Sequence, residues 1–358
     1  MKIAILNLSN TVSDFKIVSS AETILIGRSL TELGHSVDII SMRNTEYTIS
    51  FDVVTDINSY DRLIVINGAI NFFGGKKNPI VLNSYKLMAE YRSKIYYIFT
   101  DGRLGFMQVL PVVRRKKFSS EYKDEDLFVS SDFKVISQGR NLEIAKKAHK
   151  KTTERYGKEF EYDYFPVDRY FIHSQKLKPA NQTIKKYDVV YCGAFRGGQR
   201  ESKIVEFLFD TNLNIKMFGT IKEKQFKNPK FPWNVAPSFS QKIASNLVID
   251  TNSQAIATIV IGDKDYNDNF ITIRVWEAMA SDAVMLIDEE FDSEHLIIDD
   301  PRFYVKNKND FETLVNELKT NECLRRELIT IQHQTLFKYQ SLKSEWQEEL
   351  LRVLDITA

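Results

Sequence analysis

The run Tyr187-Asp188-Val189-Val190-Tyr191-Cys192-Gly193-Ala194-Phe195-Arg196-Gly197-Gly198-Gln199-Arg200-Glu201 joins a strand to a helix through a glycine-rich turn. Tyr187 to Cys192 reads as a buried strand, and the apolar run Ile204 to Phe209 reads as the helix that follows. Such a turn lets backbone N–H groups approach a phosphate, and the helix N-terminus favours negative charge. Arg196 and Arg200, four residues apart, add charge-assisted donors that can fork onto phosphate oxygens. The spacing is neither the dinucleotide nor the P-loop fingerprint, and no Lys-Ser/Thr pair follows it. Taken alone, it fits a solvated turn with surface arginines equally well.

Upstream, strand-like and helix-like segments alternate. Lys2 to Leu6, Ser36 to Ser41, Arg62 to Asn67, Lys94 to Phe99 and Lys134 to Ser137 read as strands, and a helix runs on through Lys147. Ala21 to Leu33 has helical periodicity and stops at Gly34. Apolar strands separated by helices predict a parallel sheet covered on both faces. Residues 152–186 break this rhythm and read as a connection. Downstream, Asp188 to Cys192, Ile215 to Phe218, Ala257 to Ile261 and Ala283 to Asp288 read as strands. Phe270 to Ser281 reads as a helix with Asn267, Asp268 and Asn269 as capping candidates, and Phe311 to Lys319 and Glu322 to Val353 close the chain as helices. The predicted fold is α/β, with two doubly wound domains at 1–170 and 180–341 and the C-terminal helix, 342–358, packing back on the first. Two such domains facing each other would form a cleft at the C-terminal edges of both sheets, where ligands bind.

Composition agrees with this division. At ~150 residues per domain, 358 residues are about two domains. A 43% hydrophobic and 27% charged content is that of an ordinary folded protein. No secretory signal pattern is visible and no apolar run is long enough to span a bilayer. Cys192 and Cys323 read as free thiols in an intracellular chain, so the expected compartment is the cytoplasm. Net charge is only +1, but basic residues cluster at Arg114-Arg115-Lys116-Lys117, at Lys146, Lys147, Lys150 and Lys151, and at Lys222, Lys224, Lys227 and Lys230. Such clusters suit sequence-independent phosphate contacts with DNA, or are solvated faces.

Several residues can carry chemistry. Asp101 follows the strand ending at Phe99, the position from which an open α/β sheet presents side chains to its crevice, and it can act as a general base on an alcohol. Capping a turn before Gly102 is its ordinary alternative. Glu22 follows the loop after the first strand and can face the crevice or complement a helix dipole. Arg274 and Glu277 share one helix face, where they can hold a pyrophosphate and a ribose diol or form a plain ion pair. Phe218-Gly219 suits a nucleobase edge. Asp263-Lys264-Asp265 resembles the metal-binding triplet of single-domain sugar-nucleotide transferases, a class this bipartite chain does not match. The five histidines lack zinc spacing, and no Ser or Cys nucleophile motif stands out.

Longer segments carry a resemblance. These are Met1-Lys2-Ile3-Ala4-Ile5, Ile70-Asn71-Phe72-Phe73-Gly74-Gly75-Lys76, Phe195-Arg196 with Gly198 to Lys203, Glu223 to Lys230, Asn269 to Thr272, and Ala283 to Phe291. Over nearly its full length the chain is similar to the DNA β-glucosyltransferase family of T-even bacteriophages. The resemblance implies two facing Rossmann-like domains, the GT-B architecture. It implies transfer of a sugar, glucose first, from a UDP-sugar to 5-hydroxymethylcytosine in double-stranded phage DNA, with inversion and with the base flipped out. It matches Asp101 to the general base and Glu22 to an acidic residue of the sugar site. It matches Arg196, Arg200 and Arg274 to the diphosphate grip, Glu277 to the ribose, and Phe218, Gly219 and Ile243 to uracil. Gly193 and Ala194 fall in the phosphate turn, and Asp263 and Tyr266 in a donor-side loop. Asn71, Phe72 and Phe73 are candidates for a wedge in the DNA, and Arg114 to Lys117 for its backbone. A divalent cation, magnesium or manganese, is implied as an aid to UDP departure. A monomer without membrane attachment, in the cytoplasm of an infected bacterial host, suffices for this chemistry.

The chain also departs from the family pattern. Gly102 and Gly105 stand where bulkier residues are expected, Ala194 and Gly197 replace serines, Ser19-Ser20-Ala21 is altered, and residues 152–158 lengthen the chain. The changes gather near sugar and acceptor, which keeps a UDP-pentose such as UDP-arabinose as an alternative donor. A catalytically inactive DNA- or nucleotide-binding relative is the alternative from another class. The retained Asp101, Glu22 and arginines weigh against it, and the basic run and Phe72-Phe73 weigh against a small acceptor.

Overall fold

The computed structural model describes residues 1–7, 21–42, 44–67, 79–99, 132–138, 161–165, 176–193, 199–219, 233–244, 247–262 and 272–357. They divide into two compact units, Met1–Phe171 with Ser344–Ala358, and Ile172–Lys343.

Among the described residues, the first unit holds seven parallel strands: β1 (Lys2–Asn7), β2 (Ser36–Ser41), β3 (Ile49–Ser50), β4 (Arg62–Asn67), β5 (Ile95–Phe99), β6 (Phe133–Gln138) and β7 (Glu161–Phe165). Their order is β3-β2-β1-β4-β5-β6-β7, so the chain reverses its direction of travel across the sheet between β1 and β4. Ile3 to Leu6 of β1 are fully buried, as a central strand covered on both faces requires. Helix α1 (Ala21–Glu32) stops where the sequence predicts. Gly34 takes φ +86°, its N–H donates to the Thr31 carbonyl, and His35 N–H donates to that of Leu30, which closes a Schellman motif. Helix α2 (Pro79–Glu90) precedes β5.

Among the described residues, the second unit holds six parallel strands: β8 (Tyr187–Cys192), β9 (Ile215–Phe218), β10 (Ser238–Ser240), β11 (Ala255–Val260), β12 (Val284–Asp288) and β13 (Tyr304–Val305). Their order, β10-β9-β8-β11-β12-β13, repeats the 3-2-1-4-5-6 pattern of a dinucleotide-type sheet, with its switch point between β8 and β11. Its helices are α3 (Gln199–Leu208), α4 (Val248–Asn252), α5 (Ile273–Met279), α6 (Lys308–Thr320) and α7 (Glu322–Gln340). Helix α8 (Lys343–Val353) returns to the first unit, as expected. Trp346, Leu350 and Leu351 share a buried core with Ile3, Ile64 and Ile98, and the Trp346 ring lies 5.4 Å from that of Phe165. The fold class is therefore the predicted one, two doubly wound α/β units.

Some boundaries move for physical reasons. Helix α3 begins at Gln199, five residues before the apolar run that marked it, because an apolar run reports only the buried face. Helix α5 begins at Ile273, with Thr272 at its N-cap position and making no side-chain capping bond, and the candidates 267–269 lie outside the described residues. The closing helix expected from Glu322 to Val353 is two, interrupted at Ser341–Leu342. The supposed connection 152–186 contains β7, whose alternating Glu161-Tyr162-Asp163-Tyr164 hides a half-buried edge strand. Its later part is pinned. Buried Asp282 accepts N–H bonds from Asn181, Gln182 and Thr183 at 2.6–3.1 Å and faces the Lys185 ammonium at 3.1 Å.

Candidate active site

In an open parallel sheet, ligands collect outside the carboxyl ends of the strands at the switch point. The second unit brings those predicted donor residues that are described to that edge. Gly193 directly follows β8, and its N–H donates to the Phe218 carbonyl at 2.8 Å. Gly219 directly follows β9, and its N–H donates to the Ser240 carbonyl at 3.2 Å. These bonds extend the β8–β9–β10 pairing past the strand ends. Phe218 and Ile243 are half-buried there, and the Lys216 ammonium sits 5.8 Å from the Phe218 ring centroid. Arg200 is the second residue of α3 and half-buried. The Lys203 ammonium ties that helix to the end of β12, 3.1 Å from Glu290 and 4.0 Å from buried Asp288. Burial lifts the Asp288 carboxyl to about 6 against the pull of Lys203.

Helix α5 follows β11 and presents Arg274 and Glu277 one turn apart. Arg274 Nη1 donates to the Tyr191 hydroxyl at 3.3 Å, and the guanidinium carbon lies 5.7 Å from the Tyr191 ring centroid. Glu277 is only 6% exposed. Burial pushes its carboxyl up to about 8, with the Arg274 charge pulling the other way. Cys192 donates its thiol to Asn252 Oδ1 at 3.3 Å. Burial first, then the neighbouring Glu277, pushes that thiol up to about 12. An arginine one helical turn from a buried, proton-retaining carboxyl suits a ligand with an anionic part and a hydroxyl-bearing part side by side. The lower end of α5 is held by Gln332 of α7, which donates to the carbonyls of Met279, Ser281 and Ala283 and accepts from Met285 N–H.

In the first unit, β5 ends at Phe99, two residues before Asp101, and Glu22 is the second residue of α1. Asp101, Asn71, Phe72, Phe73, Arg114, Arg115, Lys116, Lys117, Ala194, Arg196, Asp263 and Tyr266 lie outside the described residues. Among the described residues no three His, Cys, Asp or Glu side chains converge as a cation cage. Nor is any described helix long and apolar enough to cross a membrane. Both cysteines are free. Sequence reading missed Tyr191, Asn252 and Lys203. The one signal for Tyr191 was a phenol within an aliphatic strand, just before a glycine turn.

A sequence model of the bacteriophage T4 beta-glucosyltransferase family matches residues 1–171. Over 356 residues the chain is 55% identical to the DNA beta-glucosyltransferase of Enterobacteria phage T4, covering 99% of this chain and 100% of that protein. The solved structure of the phage T4 enzyme in complex with its UDP-glucose substrate is 53% identical with a TM-score of 0.86. The complex of the same phage enzyme with UDP and Mn2+ is 55% identical, also at 0.86. Each spans 99% of this chain and 100% of the other.

Proposed function

The chain belongs to the bacteriophage T4 beta-glucosyltransferase family, and on that premise we propose that it moves glucose from UDP-glucose, with inversion, onto the hydroxymethyl group of 5-hydroxymethylcytosine in duplex DNA. The observation that carries this reading is the grouping of Gly193, Phe218, Gly219, Arg274 and Glu277 at the carboxyl edge of the β8–β11 switch point.

Inverting transfer needs one base, an in-line donor and neutralisation of a departing diphosphate. Arg274, with Arg200 and Arg196, supplies the positive charge, and fixed guanidinium groups act without reorganising as the leaving group gains charge. The Glu277 carboxyl accepts the ribose hydroxyls, and the Phe218–Gly219 turn with Ile243 takes the uracil. Asp263 and Tyr266 fall in sequence between β11 and α5, and we assign them to the donor. In the first unit Asp101 deprotonates the acceptor hydroxyl, and Glu22 contacts the sugar. Asp101 follows the carboxyl end of β5, which is where such a base belongs.

The hydroxymethyl group is out of reach inside a stacked duplex, so the base is flipped out. Asn71, Phe72 and Phe73 fill its place, while Arg114 to Lys117 contact phosphates without reading sequence. The reaction takes place on phage DNA in the host cytoplasm. A related enzyme binds UDP with Mn2+. A divalent cation bound here would help to neutralise the departing diphosphate.

A pentose donor is the second reading, motivated by Gly102, Gly105, Ala194 and Gly197 around the sugar and acceptor positions. Incubation with radiolabelled UDP-glucose tests the main reading. Label should enter a duplex containing 5-hydroxymethylcytosine and not the same duplex with cytosine. Equal labelling of both, or of neither, overturns it.

A further inference from the structure

We propose that Tyr191 is a positioning residue for the donor-binding arginine, and that Gly193 is glycine to make room for it. The proposal rests on the donor role of Arg274 given above.

Three observations meet at this point. Tyr191 is 1% exposed, so its ring is fixed by the packing of the sheet. Its hydroxyl accepts from Arg274 Nη1 at 3.3 Å, and its ring centroid lies 5.7 Å from the guanidinium carbon, within cation–π reach. A Cβ built at Gly193 would fall 2.8 Å from Tyr191 Cε1, Cζ and Oη, closer than real contacts allow. The atoms it would strike are the far end of the ring, the end that meets Arg274. A side chain at 193 would therefore collide with the phenol at the end that meets Arg274.

This changes the reading of the glycine turn. The sequence assigns Gly193 to close approach of backbone and phosphate, whereas the space above its Cα is filled by a side chain of its own strand. An arginine has long rotamer freedom and loses it on binding. A buried hydroxyl and an aromatic face that hold the guanidinium in the free protein reduce that loss, which appears as affinity for the diphosphate.

The test is UDP binding by titration calorimetry, with thermal unfolding as a check on folding. R274A should weaken UDP strongly. Y191F, which keeps the ring and removes the hydroxyl, should weaken UDP by roughly fivefold with an unchanged melting temperature, on the scale of one ordinary hydrogen bond. In the R274A background Y191F should have no further effect. G193A should weaken UDP in the native background and cost nothing more once Tyr191 is Leu. Full UDP affinity in R274A removes the donor role and this inference with it. Weakened R274A beside unaltered Y191F overturns the inference alone, as does equal loss from Y191F with and without Arg274. A G193A penalty that persists beside Y191L overturns the packing role of the glycine.

Discussion

The ammonium of Lys134 lies 2.7 Å from a carboxylate oxygen of Asp355, joining β6 to a residue 221 positions further along the chain. Lys134 is 4% exposed and also meets Glu161 at 3.3 Å and Asp163 at 3.4 Å. Asp355 closes α8 in the left-handed region, at φ +50°, a place where glycine is usual. Its carboxylate accepts from the Tyr96 hydroxyl as well, and Arg62 donates to its carbonyl. The strained turn and the ion cluster together lock the chain terminus onto the first unit.

Lys134→Met removes the cation shared by three carboxylates, of which Glu161 and Asp355 keep Lys94 and Asp163 keeps Arg352. We expect a loss of about 2 kcal/mol in the first unit, by denaturant unfolding followed with hydrogen exchange of residues 343–356. Asp355→Asn keeps a residue that tolerates positive φ and should cost only about 1 kcal/mol. Burial opposes ionisation of Asp355, but Lys134, Tyr96 and Lys94 outweigh it and hold the carboxyl below its ordinary range. A depressed carboxylate contributes stability above its unfolded value and loses it as pH falls. The difference between native and Asp355→Asn protein should therefore begin to shrink as pH falls through about 4 and be lost only below the depressed native value. A difference that persists at acid pH would contradict the ion-pair account.

Glu277 makes an opposite prediction. With its carboxyl raised to about 8 by burial, against the pull of Arg274, the free protein holds a proton there at neutrality. Ribose hydroxyls donate to a carboxylate, so UDP should displace that proton. Calorimetry at pH 7 in buffers of different ionisation enthalpy should show proton release, and affinity should rise up to about pH 8. Glu277→Gln should abolish both trends. For folding the sign is reversed from that of Asp355. The neutral buried form contributes stability below the ordinary carboxylate value, and this is lost as pH rises through about 8. Glu277→Gln should accordingly gain relative stability in alkali, and no proton release would remove Glu277 from the ribose.

Asp101→Asn should lower turnover by about 10²–10⁴-fold, the range for loss of a general base, with UDP and DNA affinity kept. Unchanged turnover would take Asp101 out of the mechanism.

The two thiols should differ sharply. Cys323 is exposed, whereas Cys192 is half-buried, bonded to Asn252 and raised to about 12. Iodoacetamide at pH 8 should modify Cys323 at least about tenfold faster, read by peptide mass. Comparable rates would mean that the end of β8 opens readily.

The central strands were legible because parallel strands buried on both faces are written as apolar runs, as in Ile3 to Leu6 and Val284 to Ile287. The α1 terminus was legible because glycine is the residue that most readily takes the left-handed backbone found at 34. Strand β7 was not, since Glu161 and Asp163 serve partners distant in sequence, Lys94, Lys134 and Arg352. The break at Ser341–Leu342 carries no proline or glycine and coincides with passage from one unit to the other. Arg274 and Glu277 were legible as an i,i+3 pair. Tyr191 was hidden because a buried strand tyrosine looks like core until its hydroxyl is found under an arginine.

The most direct measurement is the nucleoside mass released from duplex DNA containing 5-hydroxymethylcytosine after incubation with UDP-glucose or UDP-arabinose. The account predicts a hexose increment with UDP-glucose, on the modified cytosine alone. A pentose increment in its place would contradict the donor assignment, and no increment with either donor would contradict the transferase itself.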